Sequence, residues 1–139
     1  MRAVADTSVI VASVLSGSAA QAECAEALDL AQASAAGHAW FESFSVLTRL
    51  PAHIRLTPHD AHRVVTSAVH GVRLLSSAEQ RTFQQWLARS SIAGGAVYDA
   101  MVGWVARAAH LPLLTRDARA LPVYRLLGIE VLLVGSSAL

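Results

Sequence analysis

The chain predicts an α/β domain built on a parallel sheet of about four to five strands. Three observations lead there. Short apolar runs of strand length alternate with longer segments of helical period, Gly and Pro punctuate the junctions, and two of the runs end on an Asp. Strands separated by helices pair in parallel through right-handed crossovers, so their C-terminal ends share one edge of the sheet. The 139 residues suit one domain, spanning 1–139, with a single core.

The first run, from Arg2 to Ala5, is a short buried strand that delivers Asp6 at its C-terminal end, followed by the hydroxyls of Thr7 and Ser8. Open parallel sheets bind ligands at that edge. The alternative role for Asp6 is to cap the helix that follows, which runs from about Ser8 to Leu15. Gly17-Ser18 then precedes a second helix expected over Ala19–Ala36, with Gly37 ending it. From His38, the positions Phe41, Phe44, Leu47 and Leu50 recur at helical spacing until Pro51, placing Glu42 in the first turn. Thr57-Pro58-His59-Asp60 is a helix start, with Thr57 as N-cap, Pro58 at the first position and Asp60 reaching back; that helix runs to about His70.

Val72–Leu75 reads as the next strand. Ser76-Ser77 with Glu79 and Gln80 caps a helix to about Arg89, and Ser91–Gly95 is a loop. Val97, Met101, Val102, Val105, Ala106 and Ala109 make one apolar face, so Asp99 also lies in a first turn. Leu111–Thr115 is a strand ending at Arg116-Asp117, as the first ends at Asp6. A short helix over Leu121–Leu127 stops at Gly128, and Glu130–Val134 is the last strand.

Composition excludes several kinds of chemistry. All eleven basic residues are Arg, and the lack of Lys removes the Walker phosphate loop and Schiff-base mechanisms. A net charge of +1 argues against holding nucleic acid by bulk electrostatics, so such a partner needs local contacts or metal. Cys24 is alone, which leaves no disulfide framework and no thiolate zinc site and fits a reducing cytoplasm. The apolar run Val9–Leu15 lacks the basic approach of a signal peptide, and no stretch approaches the ~20 apolar residues of a membrane span.

The acids carry the functional signal. Asp6 and Asp117 fall at ends of neighbouring strands, and Glu42 and Asp99 join them if their helices start on the same edge. Carboxylates that close repel by about 4 kcal/mol per pair at an effective dielectric of 20, which cations or protons must offset. Hard oxygen donors select Mg²⁺ or Mn²⁺. Two such ions activate a water and hold the departing oxygen in phosphodiester hydrolysis without Lys, Cys or His.

Ala5-Asp6-Thr7-Ser8, Trp40-Phe41-Glu42, Tyr98-Asp99-Ala100 and Leu113-Leu114-Thr115-Arg116-Asp117 together resemble the PIN-domain nucleases, and the length resembles a VapC-type toxin of bacterial toxin–antitoxin pairs. The resemblance covers essentially the whole chain. It implies a three-layer α/β/α sandwich, a Mg²⁺- or Mn²⁺-dependent endoribonuclease, a small cognate antitoxin and a homodimer, acting in the cytoplasm with no membrane partner. By position, Asp6, Glu42, Asp99 and Asp117 match the acidic quartet that is both catalytic and metal-binding, and Ser8 and Thr115 match its supporting hydroxyls. Many relatives carry a further acid where this chain has Arg119, so a second metal is expected to bind weakly or only with RNA present.

Arg116, beside Asp117, is a candidate phosphate contact, with a surface salt bridge as its other role. His59 and His62 share a helical face that reads as solvated surface, since a zinc site would need further ligands. Trp40, Trp86 and Trp104 sit in apolar helical patterns and read as core or interface rather than base-stacking residues. Receiver domains and haloacid-dehalogenase-like phosphatases also gather acids at strand ends, but both use a Lys. The alternative within the same fold is a catalytically weak module that binds RNA or protein; it would be expected to have lost part of the quartet.

Overall fold

The computed structural model describes residues 1–135. Five strands form one parallel sheet in the order β3-β2-β1-β4-β5. Their ranges are β1 (Val4–Ala5), β2 (Ser34–Ala36), β3 (Val72–Arg73), β4 (Leu113–Thr115) and β5 (Val131–Leu133). Val4 lies opposite both Ser34 and Leu113, and Thr115 opposite Leu133. The helices are α1 (Thr7–Val14), α2 (Gln21–Leu30), α3 (Gly37–Thr48), α4 (Pro58–Ala68), α5 (Ser77–Arg89), α6 (Ala96–Ala109) and α7 (Leu121–Leu126). α1, α2 and α4 pack together, α6 packs with α5 and with α7, and α3 touches both groups. The result is the three-layer α/β/α arrangement.

The central strand β1 is fully buried at Val4 and Ala5, as a strand covered on both faces must be. The main core gathers Ile10, Leu28, Leu47, Val65, Leu113 and Tyr124 around the sheet. A smaller one under α5, α6 and α7 is built on Phe83, Trp104 and Leu127. Trp104 is buried between Phe83 and Trp86, with ring centroids 5.1 and 5.5 Å away, and Trp40 stacks on Phe44 at 5.8 Å. The core reading of the tryptophans holds, as does the packing reading of the buried Cys24.

One expected element is wrong. The helix expected over Ala19–Ala36 stops at Leu30, Gln32 turns with φ of 43°, and Ser34–Ala36 becomes β2 between β1 and β3. Alanine is the strongest helix former, so local propensity favours helix here. Position decides otherwise. Ala33, Ala35 and Ala36 are completely buried, in a strand flanked on both edges and covered by helices, and side chains that small let the layers close. Gly37 correspondingly opens α3 instead of ending α2. A Cβ there would sit 2.6 Å from Leu74 Cδ2, so β3 and α3 approach through that glycine.

Helix starts follow the sequence closely. Ser76 and Glu79 form the reciprocal capping box, and Thr57 accepts from the Asp60 N–H. Asp60 does not reach back to its cap; its carboxylate pairs with Arg63 at 3.8 Å instead.

Candidate active site

Adjacent β1 and β4 bring Asp6 and Thr115 to one edge, with the Asp6 N–H donating to the Leu114 carbonyl at 3.1 Å. Asp6 stands at the end of β1, and it also caps the helix that follows. As the N-cap of α1 its Oδ1 accepts from the Ser8 N–H (3.0 Å), the Val9 N–H (3.4 Å) and the Ser8 hydroxyl (2.6 Å). Its Oδ2 accepts from the Thr115 hydroxyl and from the Tyr124 phenol at 3.0 Å. The two supporting hydroxyls also tie the strands together: Ser8 Oγ accepts from the Arg116 N–H at 2.8 Å, and Thr115 Oγ1 from the Asp117 N–H at 3.0 Å. Burial pushes the Asp6 carboxyl above its usual range, against the opposite pull of its hydrogen bonds from Ser8, Thr115, Tyr124 and the Val9 N–H.

The other acids are held more loosely. Asp117 caps the single 3₁₀ turn Ala118–Ala120, accepting from the Arg119 N–H at 3.0 Å, and the Arg119 guanidinium bonds both of its oxygens at 3.3 and 3.4 Å. Glu42 pairs with His38 at 3.2 Å on the surface of α3, and His38 stacks on Tyr98 with centroids 5.0 Å apart. Asp99 lies half-buried in the first turn of α6, and among the described residues no group donates to it. Desolvation, then the charges of Asp117, Asp6 and Glu42, push its carboxyl up, with Arg119 opposing. All four acids therefore act on Asp99 or are Asp99 itself.

The fit to a divalent metal rests on donor chemistry. The repulsion that Asp117, Asp6 and Glu42 exert on Asp99 is what a hard cation relieves. Among the described residues no three His, Cys, Asp or Glu groups gather tightly enough to hold an ion by themselves. Mg²⁺ commonly takes one or two carboxylates and completes its octahedron with water and substrate phosphate, so a loose set of acids fits that ion.

The PIN domain model matches residues 3–126. The chain belongs to the PIN-domain family. Over 100 residues this PIN domain is 45% identical to Ribonuclease VapC27 of Mycobacterium tuberculosis, covering 72% of this chain and 73% of that protein. Ribonuclease VapC40 of the same species is 43% identical over 98 residues, covering 70% of this chain and 73% of VapC40. Those relatives make it a VapC-type PIN domain. Solved structures agree on the fold: VapC20 of M. tuberculosis, described as a sarcin-ricin loop cleaving toxin, superposes with a TM-score of 0.60 at 18% identity over 86% of this chain and 92% of its own. FitAB, solved on a DNA fragment, gives 0.65 at 12% identity over 93% of this chain and 92% of its own.

Two groups of the PIN domain's site escaped the sequence reading. Tyr124 belongs to α7, which was recognised only as a short helix, yet its phenol reaches across to Asp6. Burial first, then the charges of Asp6 and Asp99, hold that phenol far above its ordinary range, so it stays a donor. Gly103 makes the reach possible: a Cβ there would meet Leu127 Cδ1 at 2.5 Å and Tyr124 Cδ1 at 3.1 Å. His38 is the i,i+4 partner of Glu42 on α3. Arg116 sits differently from its expected place beside the acids: its Nη2 donates to the Gly135 carbonyl at 3.3 Å, and its Nε is buried with no acceptor among the described residues. Among the described residues, no helix is long and apolar enough to cross a membrane.

Proposed function

We propose that the chain is a metal-dependent endoribonuclease toxin whose Asp6, Glu42, Asp99 and Asp117 hold Mg²⁺ or Mn²⁺ and the scissile phosphate. The observation that carries this reading is the charge strain at Asp99, which has three other acids acting on it and, among the described residues, no donor. A bound divalent ion would supply a nucleophilic hydroxide at neutral pH and stabilise charge on the phosphoryl oxygens. Asp6, buried and fastened by Ser8, Thr115 and Tyr124, fixes the site to the sheet. Asp99 and Asp117 offer oxygens from the two elements on either side, and Glu42 stands at the open margin with His38. Arg116, whose side chain turns to the Gly135 carbonyl with its Nε buried, takes no part in this reading.

The relatives are ribonucleases by name, and one structural neighbour is solved as FitAB on DNA. On that basis the toxin is proposed to be silenced by a small cognate antitoxin, and a cytoplasmic homodimer is part of the same proposal. The quartet is intact, which favours the enzyme over a module that only binds. The test is cleavage of mixed cellular RNA with Mg²⁺, Mn²⁺ or EDTA by wild type and Asp99→Asn, with circular dichroism confirming the fold. Loss of cleavage of at least about a hundredfold in the variant and in EDTA is expected. Undiminished cleavage in EDTA would sink the metal mechanism, and a neighbouring open reading frame whose product neither co-purifies nor inhibits would count against the antitoxin.

A further inference from the structure

Beside the carboxylates, β3, α3, α5 and α6 enclose a cavity of about 290 Å³. Its walls are Phe41, Leu74, Phe83 and Met101, with Gln80 and Arg73 at the polar side. Phe41 and Leu74 are 68% and 74% exposed, so two large apolar side chains flank it in contact with solvent. Arg73 gives the cavity its character. Its Nε is shielded from water and has no acceptor among the described residues, so the part of the guanidinium that a ligand can meet is the terminal Nη pair of this half-buried side chain. His38 lines the same cavity while it pairs with Glu42 at 3.2 Å and stacks on Tyr98, the residue before Asp99. The cavity and Glu42 thus share His38.

We infer that this cavity takes one unstacked nucleobase of the RNA, a guanine, next to the phosphate that is cut. The inference rests on the ribonuclease reading and deepens it. Single-stranded RNA is read by splaying a base onto an aromatic face and bonding its edge. Phe41 supplies the face. A guanidinium fork matches the O6 and N7 acceptors of guanine, whereas adenine presents a donor at the position of O6. Gln80 adds an amide that serves as donor or acceptor. The volume lies at the small end for ligand sites, which suits one flat ring system and not an extended ligand.

Two measurements test this. Sequencing the fragment ends released from a randomised single-stranded RNA should show guanine enriched about tenfold or more at one fixed offset from the cut, and Arg73→Met should abolish that enrichment. In parallel, metal-free wild-type protein titrated with guanosine 5′-monophosphate and adenosine 5′-monophosphate by NMR should bind the former at least about fivefold more tightly, with Arg73→Met levelling the two. Arg73→Met removes an unpaired donor, so its melting temperature should not fall, which keeps the variant interpretable.

If Asp99→Asn abolishes cleavage but the offset shows no base preference, or Arg73→Met keeps it, the pocket assignment is wrong and the ribonuclease reading stands. If neither protein cleaves RNA, the ribonuclease reading fails, and equal binding of the two nucleotides then overturns the pocket as well. Loss of self-association in Phe41→Ser with an unchanged end preference would assign the cavity to a second copy of the chain and overturn the proposal.

Discussion

Asp6 and Glu42 stand at one edge of one sheet, and they are held in opposite ways. Asp6 is 5% exposed and its two oxygens take donors from β1's own turn, from β4 and from α7. Glu42 has a side chain 45% exposed and one partner, an imidazole four residues away on its own helix. Asp117 resembles Glu42, since its side-chain partner is the guanidinium of an exposed Arg119. The contrast separates what fixes a site from what completes it. A buried acid needs neutral donors that stay when a cation arrives, whereas marginal acids are held by cations that a metal or a substrate can replace.

The strongest way to break the contrast is to remove each acid to alanine. Asp6→Ala takes away the α1 cap and leaves the Thr115 and Tyr124 hydroxyls without their acceptor, which should cost about 3–4 kcal/mol in urea unfolding. Glu42→Ala, on an exposed face, should stay within about 0.5 kcal/mol. Similar losses for both would mean that Asp6 is not the anchor of the site.

Asp99 lies between these extremes and should report metal. Burial and its acidic neighbours hold it above the ordinary carboxylate value of 3.8, so from that pH up to its raised folded value the native state keeps a proton that the unfolded chain has lost. Stability therefore falls as pH rises through that window, and the deficit persists above it. Asp99→Asn should abolish its share of that fall and melt higher than wild type in EDTA at neutral pH. Mn²⁺ should reverse the order, because an ion bound only by the native state adds about 2.7 kcal/mol at a hundredfold excess over Kd and the variant forfeits most of it. Equal stabilisation of both proteins by Mn²⁺ would make Asp99 an ordinary helix-start residue.

Tyr124→Phe tests the anchor more gently. The ring packing survives, and Asp6 loses one donor out of several, so unfolding free energy should drop by about 1–1.5 kcal/mol. The loss should shrink in Asp6→Asn, because the two groups share one hydrogen bond; additive losses in that double-mutant cycle would show that the phenol acts through packing alone.

These groups also mark how far the sequence could be read. The positions of Asp6, Thr115, Asp99 and Asp117 are legible because each stands at or just past the end of an apolar run or in the first turn of a periodic helix, and such positions depend on local pattern; the expected first-turn place of Glu42 is wrong, because α3 already starts at Gly37 and puts Glu42 in its second turn. β2 was not legible, because Ala-Ser-Ala-Ala carries no strand preference and owes its conformation to neighbours far along the chain. Tyr124 was hidden for the same reason. Its bond to Asp6 joins residues 118 positions apart and depends on the bare backbone at Gly103, which no periodicity reveals. The Arg116 side chain turns to the Gly135 carbonyl, just past the end of β5, a partner that adjacency in sequence to Asp117 does not reveal.

The smallest expected effect concerns Arg119. Its guanidinium lies against Asp117 and lowers the proton affinity of Asp99, so it supplies part of the positive charge that a metal would otherwise bring. The side chain is 92% exposed, and the Arg119 backbone N–H would cap through Asp117 whichever residue stands there. Arg119→Gln should therefore leave the melting temperature unchanged within error while tightening Mn²⁺ binding about two- to fivefold at low salt, measured by calorimetric titration. Raising the ionic strength to about 1 M shortens the screening length to roughly 3 Å and should erase most of the difference, because an exposed cation acts through solvent. Arg119→Asp carries the change further by placing an acid where the family resemblance implies one, and a second, weaker Mn²⁺ equivalent should then appear in the titration. If affinity at low salt is the same in all three proteins, Arg119 does not act on the ion, and the margin of the site is controlled by Glu42 and His38 instead.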